Sequence, residues 1–322
     1  MQGGCALLLE DPLIYSIIDK SLGEKYMNAL DNQFVNDMNS LKWCPFPNCD
    51  YIIEHPNLPS SSNLIVPIVD CACGNRFCFG CDMEDHRPAP CYLVKKWIKK
   101  IIEYTPSLNW IVCNTKPCPF CFSPIEKRGG CQHMICRKCY KEFCWLCLGD
   151  WNNHQGGSWC NQYLEKNKDK AQQRMQNYNR YMHYHDRYKN HEDIVKLCKK
   201  LYLDVESKMS FLQNQKNISW IDTQVLLKAA HLTIETRTLL KWTYVFAFYV
   251  EESNESVIFE DNQRDVEIVV GNLTGILEGK INDLRPEFRQ NIIDMMSYIK
   301  SRRNKLLMHV HNGLYEDTWQ FN

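Results

Sequence analysis

Apolar residues recur every three to five positions near the start of the chain, at Ile14, Ile17, Ile18, Leu22, Tyr26 and Leu30, with polar residues filling the gaps. That spacing predicts amphipathic helix over the first 40 residues. From Cys44 to Cys91 the pattern breaks into short apolar stretches, Tyr51-Ile52-Ile53 and Leu64-Ile65-Val66, set among cysteines and prolines. Small strands and knuckles are expected there. Tyr92 to Tyr104 (YLVKKWIKKIIEY) reads as a basic amphipathic helix closed by Thr105-Pro106, because the residue before a proline disfavours helix. A second cysteine-rich block runs from Cys118 to Cys160. Beyond Tyr163 the chain turns to long charged and aromatic segments with few Gly or Pro, which predicts a bundle of four or five helices. Ser219 is expected to cap a long helix reaching about Val250, and Glu251 to Ser256 (EESNES) to form a turn. Another helix should span Gln263 to Leu277, and Pro286 should open a last one, Glu287 to about Val310.

Length and charge narrow the possibilities. The 322 residues suffice for two or three small domains, and 38 basic against 38 acidic side chains leave no net charge. A chain that coats nucleic acid or an anionic membrane usually needs a basic excess, so no nucleic-acid partner is expected. The longest apolar run, Tyr244 to Val250 (YVFAFYV), falls well short of the roughly 20 residues that cross a bilayer, so no membrane partner is expected. The start, MQGGCALLLEDPLIY, has no basic segment and meets Glu10 and Asp11 at once, unlike a secretory signal; a cytoplasmic or nuclear location follows as an expectation. Seventeen of the 18 cysteines lie at or before Cys160, leaving only Cys198 in the second half. Without export to an oxidising compartment, closely paired cysteines read as metal ligands or reactive thiols.

In the first block Cys44, Cys49, Cys71, Cys73, Cys78, Cys81, His86 and Cys91 supply eight ligand-type side chains. Tetrahedral zinc takes four, so eight make two sites. Read in order, Cys44, Cys49, Cys71 and Cys73 hold one ion and Cys78, Cys81, His86 and Cys91 the other. So short a segment buries little core, and metal binding should supply most of its folding free energy.

The second block offers ten candidates for two zinc ions: Cys118, Cys121, Cys131, His133, Cys136, Cys139, Cys144, Cys147, His154 and Cys160. In one allocation Cys118, Cys121, Cys136 and Cys139 hold one ion and Cys144, Cys147, His154 and Cys160 the other. Cys131 and His133 are then free behind Gly129-Gly130, a thiol near an imidazole as a nucleophile requires. In the other, the eight residues from Cys118 to Cys147 form a cross-braced RING, and His154 and Cys160 are spare. Spacing leaves both open. The first is favoured because the cross-brace must join its last two pairs by only four residues and leaves a well-spaced His and Cys idle.

The segment RGGCQHMICRKCYKEFCWLCLGDW (Arg128 to Trp151) resembles the catalytic domain of RING-between-RING ubiquitin ligases, and the Cys44 to Cys91 block resembles their in-between-RING domain. SWIDTQVLLKAAHL, TYVFAFYV, VIFEDNQ and SRRNKLLMHVHNG are similar to the C-terminal domain of the Ariadne subfamily. The resemblance implies two linear, bilobal zinc-stabilised domains, the in-between-RING and the catalytic second RING, followed by an all-α helical bundle, the Ariadne domain. The implied boundaries are a helical tail of a first RING over 1–40, the in-between-RING domain over 41–92, a linker helix over 93–112, the catalytic domain over 113–163 and the Ariadne domain over 164–322.

The resemblance also implies a relay. A conjugating enzyme charged with ubiquitin passes it to Cys131 as a thioester, His133 acts as base when a substrate lysine attacks, and Glu142 assists. Four zinc ions complete the domains. Lys95, Lys96, Trp97, Lys99 and Lys100 lie where the family contacts transferred ubiquitin, and the helical domain should inhibit until a modified cullin complex engages it. Two departures stand out. The eight ligands of a first RING are missing, with Cys5 as their one remnant, which reads as N-terminal truncation; and Leu197-Cys198 replace an aromatic and an acidic residue at the inhibitory contact. Cys5, Cys113 and Cys198 match no ligand pair. The rival expectation is a zinc scaffold with no covalent step.

Overall fold

The computed structural model describes residues 11–55, 66–104, 115–121, 123–126, 132–154 and 170–322. They belong to two compact units, Met1–Ser62 with Pro67–Glu84, and Asn63–Val66 with Asp85–Asn322.

The first unit opens with helices α1 (Asp11–Ile17) and α2 (Lys20–Asp37). The amphipathic stretch is thus broken at Asp19, whose carboxylate accepts from the Leu22 N–H at 2.9 Å and caps α2. Two antiparallel hairpins follow. Strand β1 (Leu41–Trp43) pairs with β2 (Ile52–Glu54) through Lys42 opposite Ile53, and β3 (Ile68–Asp70) pairs with β4 (Arg76–Cys78) through Val69 opposite Phe77. Their shared core is small: Phe77 is fully buried, and around it sit Cys44, Cys71, Phe46, Cys49, Ile53 and Val69. Three of those seven residues are cysteines, as expected where a metal replaces a large apolar interior.

The second unit begins with α3 (Cys91–Tyr104), then two more antiparallel hairpins, β5 (Thr115–Pro117) with β6 (Pro124–Glu126), and β7 (His133–Ile135) with β8 (Glu142–Cys144). A single 3₁₀ turn, Trp151–His154, follows. Four long helices complete the described residues: α4 (Lys170–Lys216), α5 (Trp220–Tyr249), α6 (Asn254–Glu278) and α7 (Pro286–Tyr315). Hairpin zinc-type domains ahead of an all-helical bundle is the architecture the sequence predicts.

Helix α5 is apolar around most of its circumference and runs through the middle of the bundle, with Leu226, Ala229, Leu240 and Trp242 at or near zero exposure. Ser219 caps it, accepting from the Ile221 N–H. The expected turn over residues 251–256 is shorter in the structure. Ser253 and Ser256 form a reciprocal capping box, so α6 starts at Asn254, nine residues before the expected Gln263. The serines and asparagine that suggested a turn are the helix cap itself. Helix α7 likewise outruns Val310 to reach Tyr315, and Trp319 then folds back to donate to the Val310 carbonyl at 3.2 Å. Gly313 makes room for it, since a Cβ there would collide with the indole nitrogen.

The bundle has two interiors. One is aliphatic, around Leu212, Leu226, Val266, Leu273, Ile292 and Ile299. The other is aromatic and holds α3 to the bundle: Trp97 is fully buried, its ring 5.3 Å from Phe248, 5.5 Å from Tyr181 and 5.7 Å from Tyr188. Between α5 and α6, the half-buried Glu267 carboxylate accepts from the Tyr244 hydroxyl at 2.7 Å and lies 3.3 Å from His191 on α4. Against burial, which pushes it up, His191 and Arg237 bring this carboxyl down to about 2.

Candidate functional site

Among the described residues, three groups of four side chains could each hold a metal ion, their ligand atoms all within 4.8 Å of one another: Cys44, Cys49, Cys71 and Cys73; Cys78, Cys81, His86 and Cys91; and Cys118, Cys121, Cys136 and Cys139. The distances suit one metal in particular. A tetrahedron with zinc–sulfur arms of about 2.3 Å has edges of about 3.8 Å. Cys44 and Cys73 sulfurs are 3.8 Å apart, Cys49 and Cys71 3.6 Å, Cys118 and Cys139 3.7 Å, Cys121 and Cys136 3.5 Å. In the group containing His86, the ring Nε2 is 3.7 Å from Cys91 Sγ, while Nδ1 lies 2.7 Å from the Ala89 carbonyl and so carries the proton. That second contact leaves Nε2 bare toward the sulfurs, as a metal-binding imidazole requires.

Donors favour the thiolates these sites need. Backbone and side-chain N–H groups of Asn75 pull the Cys73 thiol down to about 6, and the Ser123 hydroxyl and N–H do the same for Cys121. Cys44, by contrast, is pushed up to about 12 by burial, so this thiol needs a metal's charge to ionise.

The local backbone explains how the chain presents sulfurs in pairs. In three of the four C-x2-C knuckles the first cysteine's carbonyl accepts from the residue four ahead, and its N–H donates to the carbonyl five ahead. The distances are 2.8 and 2.7 Å at Cys78, 2.7 and 3.0 Å at Cys136, and 2.9 and 2.9 Å at Cys144. In all three the residue after the second cysteine is left-handed: Asp82, Tyr140 and Leu148 have φ of 60°, 58° and 59°. Each costs about 1 kcal/mol for a residue with a side chain. Cys144 and Cys147 therefore share the shape of the pairs in complete groups. Cys131 and Cys160, together with the His154 side chain, lie outside the described residues, as do Cys5 and Cys113.

His133 stands apart from the sulfurs. With Cys144 and Cys147 it forms no metal-type group among the described residues. Its Nε2 instead donates to Glu142 Oε2 at 2.8 Å, since a carboxylate can only accept. The two are diagonal neighbours in the β7–β8 hairpin, where His133 faces Cys144 and Glu142 faces Ile135. One face of the imidazole lies on the Trp151 indole, centroids 4.4 Å apart and planes 15° from parallel. Spacing gives no hint of that stack, because the 3₁₀ turn and the bridge between Phe143 and Asp150 bring Trp151 there.

The structure also places two further residue sets named above. Lys95, Lys96 and Lys99 are exposed, but Trp97 is spent on the aromatic interior rather than offered to a partner. At Leu197-Cys198 the cysteine is buried within the bundle and its thiol raised by that burial, while Leu197 faces solvent. Among the described residues, Lys116 on β5 and Asp186 on α4 join the second hairpin domain to the bundle.

A model of the IBR domain, described as a half RING-finger domain, matches residues 24–91; a second IBR-domain model matches residues 111–155; and an Ariadne-domain model matches residues 179–318. The chain is 40% identical over 324 residues to the E3 ubiquitin-protein ligase dbl4 of Schizosaccharomyces pombe, covering 98% of this chain and 64% of the relative. It is 40% identical over 330 residues to human E3 ubiquitin-protein ligase ARIH1, with 99% and 58% covered. With Drosophila melanogaster E3 ubiquitin-protein ligase ariadne-1 the figures are 40% over 328 residues, 99% and 64%. The chain thus spans roughly three fifths of the length of these relatives.

Proposed function

This chain belongs to the Ariadne family of IBR-domain E3 ubiquitin-protein ligases, and on that footing we propose that it carries ubiquitin on Cys131 as a thioester and passes it to substrate lysines. The observation that carries the reading is the contact between His133 Nε2 and Glu142. With Nε2–H given to Glu142, a neutral imidazole keeps its Nδ1 lone pair, the form a general base needs. In the proposed step the lysine nitrogen attacks the thioester carbonyl, the C–N bond forms and the C–S bond breaks. Cys131 departs as thiolate, and the proton shed by nitrogen goes to His133 Nδ1. Glu142 orients the ring and balances the imidazolium charge that results.

The zinc ions in this reading are structural. Cys44, Cys49, Cys71 and Cys73 hold the first, Cys78, Cys81, His86 and Cys91 the second, and Cys118, Cys121, Cys136 and Cys139 the third. Cys144 and Cys147, already in knuckle form, hold the fourth with His154 and Cys160. His133 facing Glu142 rather than that pair favours this allocation over the cross-brace. A ubiquitin-charged conjugating enzyme would supply the acyl group, protein lysines would receive it, and a modified cullin complex would relieve inhibition by the helical domain.

The test is a pair of rates. His133→Ala should accept ubiquitin onto Cys131 as fast as wild type and discharge it to lysine roughly 100-fold more slowly, the lower range for a lost general base. Equal loss of both steps would make His133 structural.

A further inference from the structure

We infer that Trp151 is a positioning residue for the transfer step: its indole fixes the plane of the His133 imidazole so that the nitrogen turned away from Glu142 stays aimed for the incoming proton. This rests on the Cys131 relay proposed above and goes one residue beyond it.

The argument begins with exposure. His133 is 30% and Glu142 45% exposed, so their hydrogen bond competes with water and holds the ring weakly. One contact at Nε2 also leaves the imidazole free to swing about the axis through that bond. A near-parallel aromatic face 4.4 Å away removes that freedom, because any swing lifts the ring off the indole. Two constraints of different kind then determine the plane: a point at Nε2 and a surface beneath. The surface also suits the product of the step, since an imidazolium over an indole face is stabilised more than a neutral imidazole.

Trp151 is itself well placed to serve as a fixed surface. The bridge between Phe143 and Asp150 anchors the preceding residue to β8, and the Asp150 carboxylate accepts from the Asn152 N–H at 2.9 Å, so the 3₁₀ turn that carries Trp151 is tied at both sides. Phe143, on the strand that carries Glu142, is completely buried. The base, its orienting carboxylate and its stacking partner are thereby referred to one hairpin.

The experiment uses the whole chain loaded from a chemical donor, the mercaptoethanesulfonate thioester of ubiquitin, so that no conjugating enzyme is needed. Trp151→Ala should load within about twofold of wild type and discharge to free lysine about tenfold more slowly, as a small misplacement of a base costs. Trp151→Phe, which keeps a flat face, should recover most of the rate. The double variant His133→Ala/Trp151→Ala should be no slower than His133→Ala, because Trp151 acts only through the ring that is gone. Independently of activity, the His133 ring-proton resonances in histidine-labelled protein should lose their upfield ring-current shift in Trp151→Ala. Wild-type discharge by Trp151→Ala beside a slow His133→Ala would overturn this inference alone. Wild-type discharge by His133→Ala would overturn the relay reading and this inference with it. Multiplying losses in the double variant, unmoved resonances, or loss of zinc from both Trp151 variants would make Trp151 structural and end the assignment.

Discussion

Lys116 on β5 donates to the carboxylate of Asp186 on α4, joining the second hairpin domain to the helical bundle across seventy residues of sequence. The same ammonium donates to the Trp145 carbonyl at 3.2 Å and lies 5.4 Å over that residue's ring. Both partners are largely shielded, at 23% and 18% side-chain exposure. Asp186 is held below the usual carboxylate range because the His185 and Lys116 contacts outweigh burial, which pushes it up. Shielding of this kind makes removal of one partner costlier than at an open surface, since the other charge is left partly buried.

That pair should act as a latch on the proposed relay. Asp186→Asn and Lys116→Ala are each expected to raise the rate at which Cys131 is loaded with ubiquitin by about fivefold, corresponding to about 1 kcal/mol of closed-state stabilisation lost. The exchange Lys116→Asp/Asp186→Lys should return toward the wild-type rate. Loading rates that ignore all three variants would remove this contact from any account of inhibition.

His86 is completely buried, with its ring 5.9 Å from Trp242 of α5, while Cys91 is the first residue of α3. Metal at that group should therefore stabilise the seating of α3 and its Trp97 on the bundle. His86→Ala is expected to lower bound zinc from four to three per chain by native mass spectrometry and to redden tryptophan emission as Trp97 and Trp242 meet water. Cys121→Ala should also lose one ion, that of its own group, without that spectral change. Four ions retained by His86→Ala would contradict its role as a ligand.

Glu260 on α6 is mostly buried, and burial, followed by the nearby Glu252 charge, raises its carboxyl to about 7. A carboxyl raised on folding contributes stability that is fully present below its unfolded pKa, about 4.3, and is lost as pH rises through about 7. Glu260→Gln should therefore unfold at higher urea than wild type at pH 8, by about 1–3 kcal/mol, with the gap much reduced at pH 5. Equal stability at pH 8 would show that Glu260 is ionised without penalty.

The sequence carries the parts of this molecule whose chemistry is local. Paired cysteines two residues apart announce knuckles because backbone geometry alone brings their sulfurs together, and Ser219 and Pro286 mark helix starts by their own hydrogen-bonding and φ limits. Ser253 to Ser256 misleads because the same side chains serve turns and caps, and only the capping box of α6 separates the two. The stack of Trp151 on His133, the ion pair from Lys116 to Asp186 and the burial of Trp97 among Tyr181, Tyr188 and Phe248 are not legible in any spacing. Each depends on how separately folding segments dock, which is a tertiary outcome.

In the proposed relay Cys131 is a thiol that zinc does not need and that ubiquitin does. The direct measurement treats wild type and Cys131→Ala with the mercaptoethanesulfonate thioester of ubiquitin, separates the products with and without reducing agent, and weighs each protein with its metals. The expected result is a reducible single-ubiquitin adduct on wild type, none on Cys131→Ala, and four zinc ions in both. An adduct that survives the substitution, or a Cys131→Ala chain that has lost a zinc ion, would contradict the account.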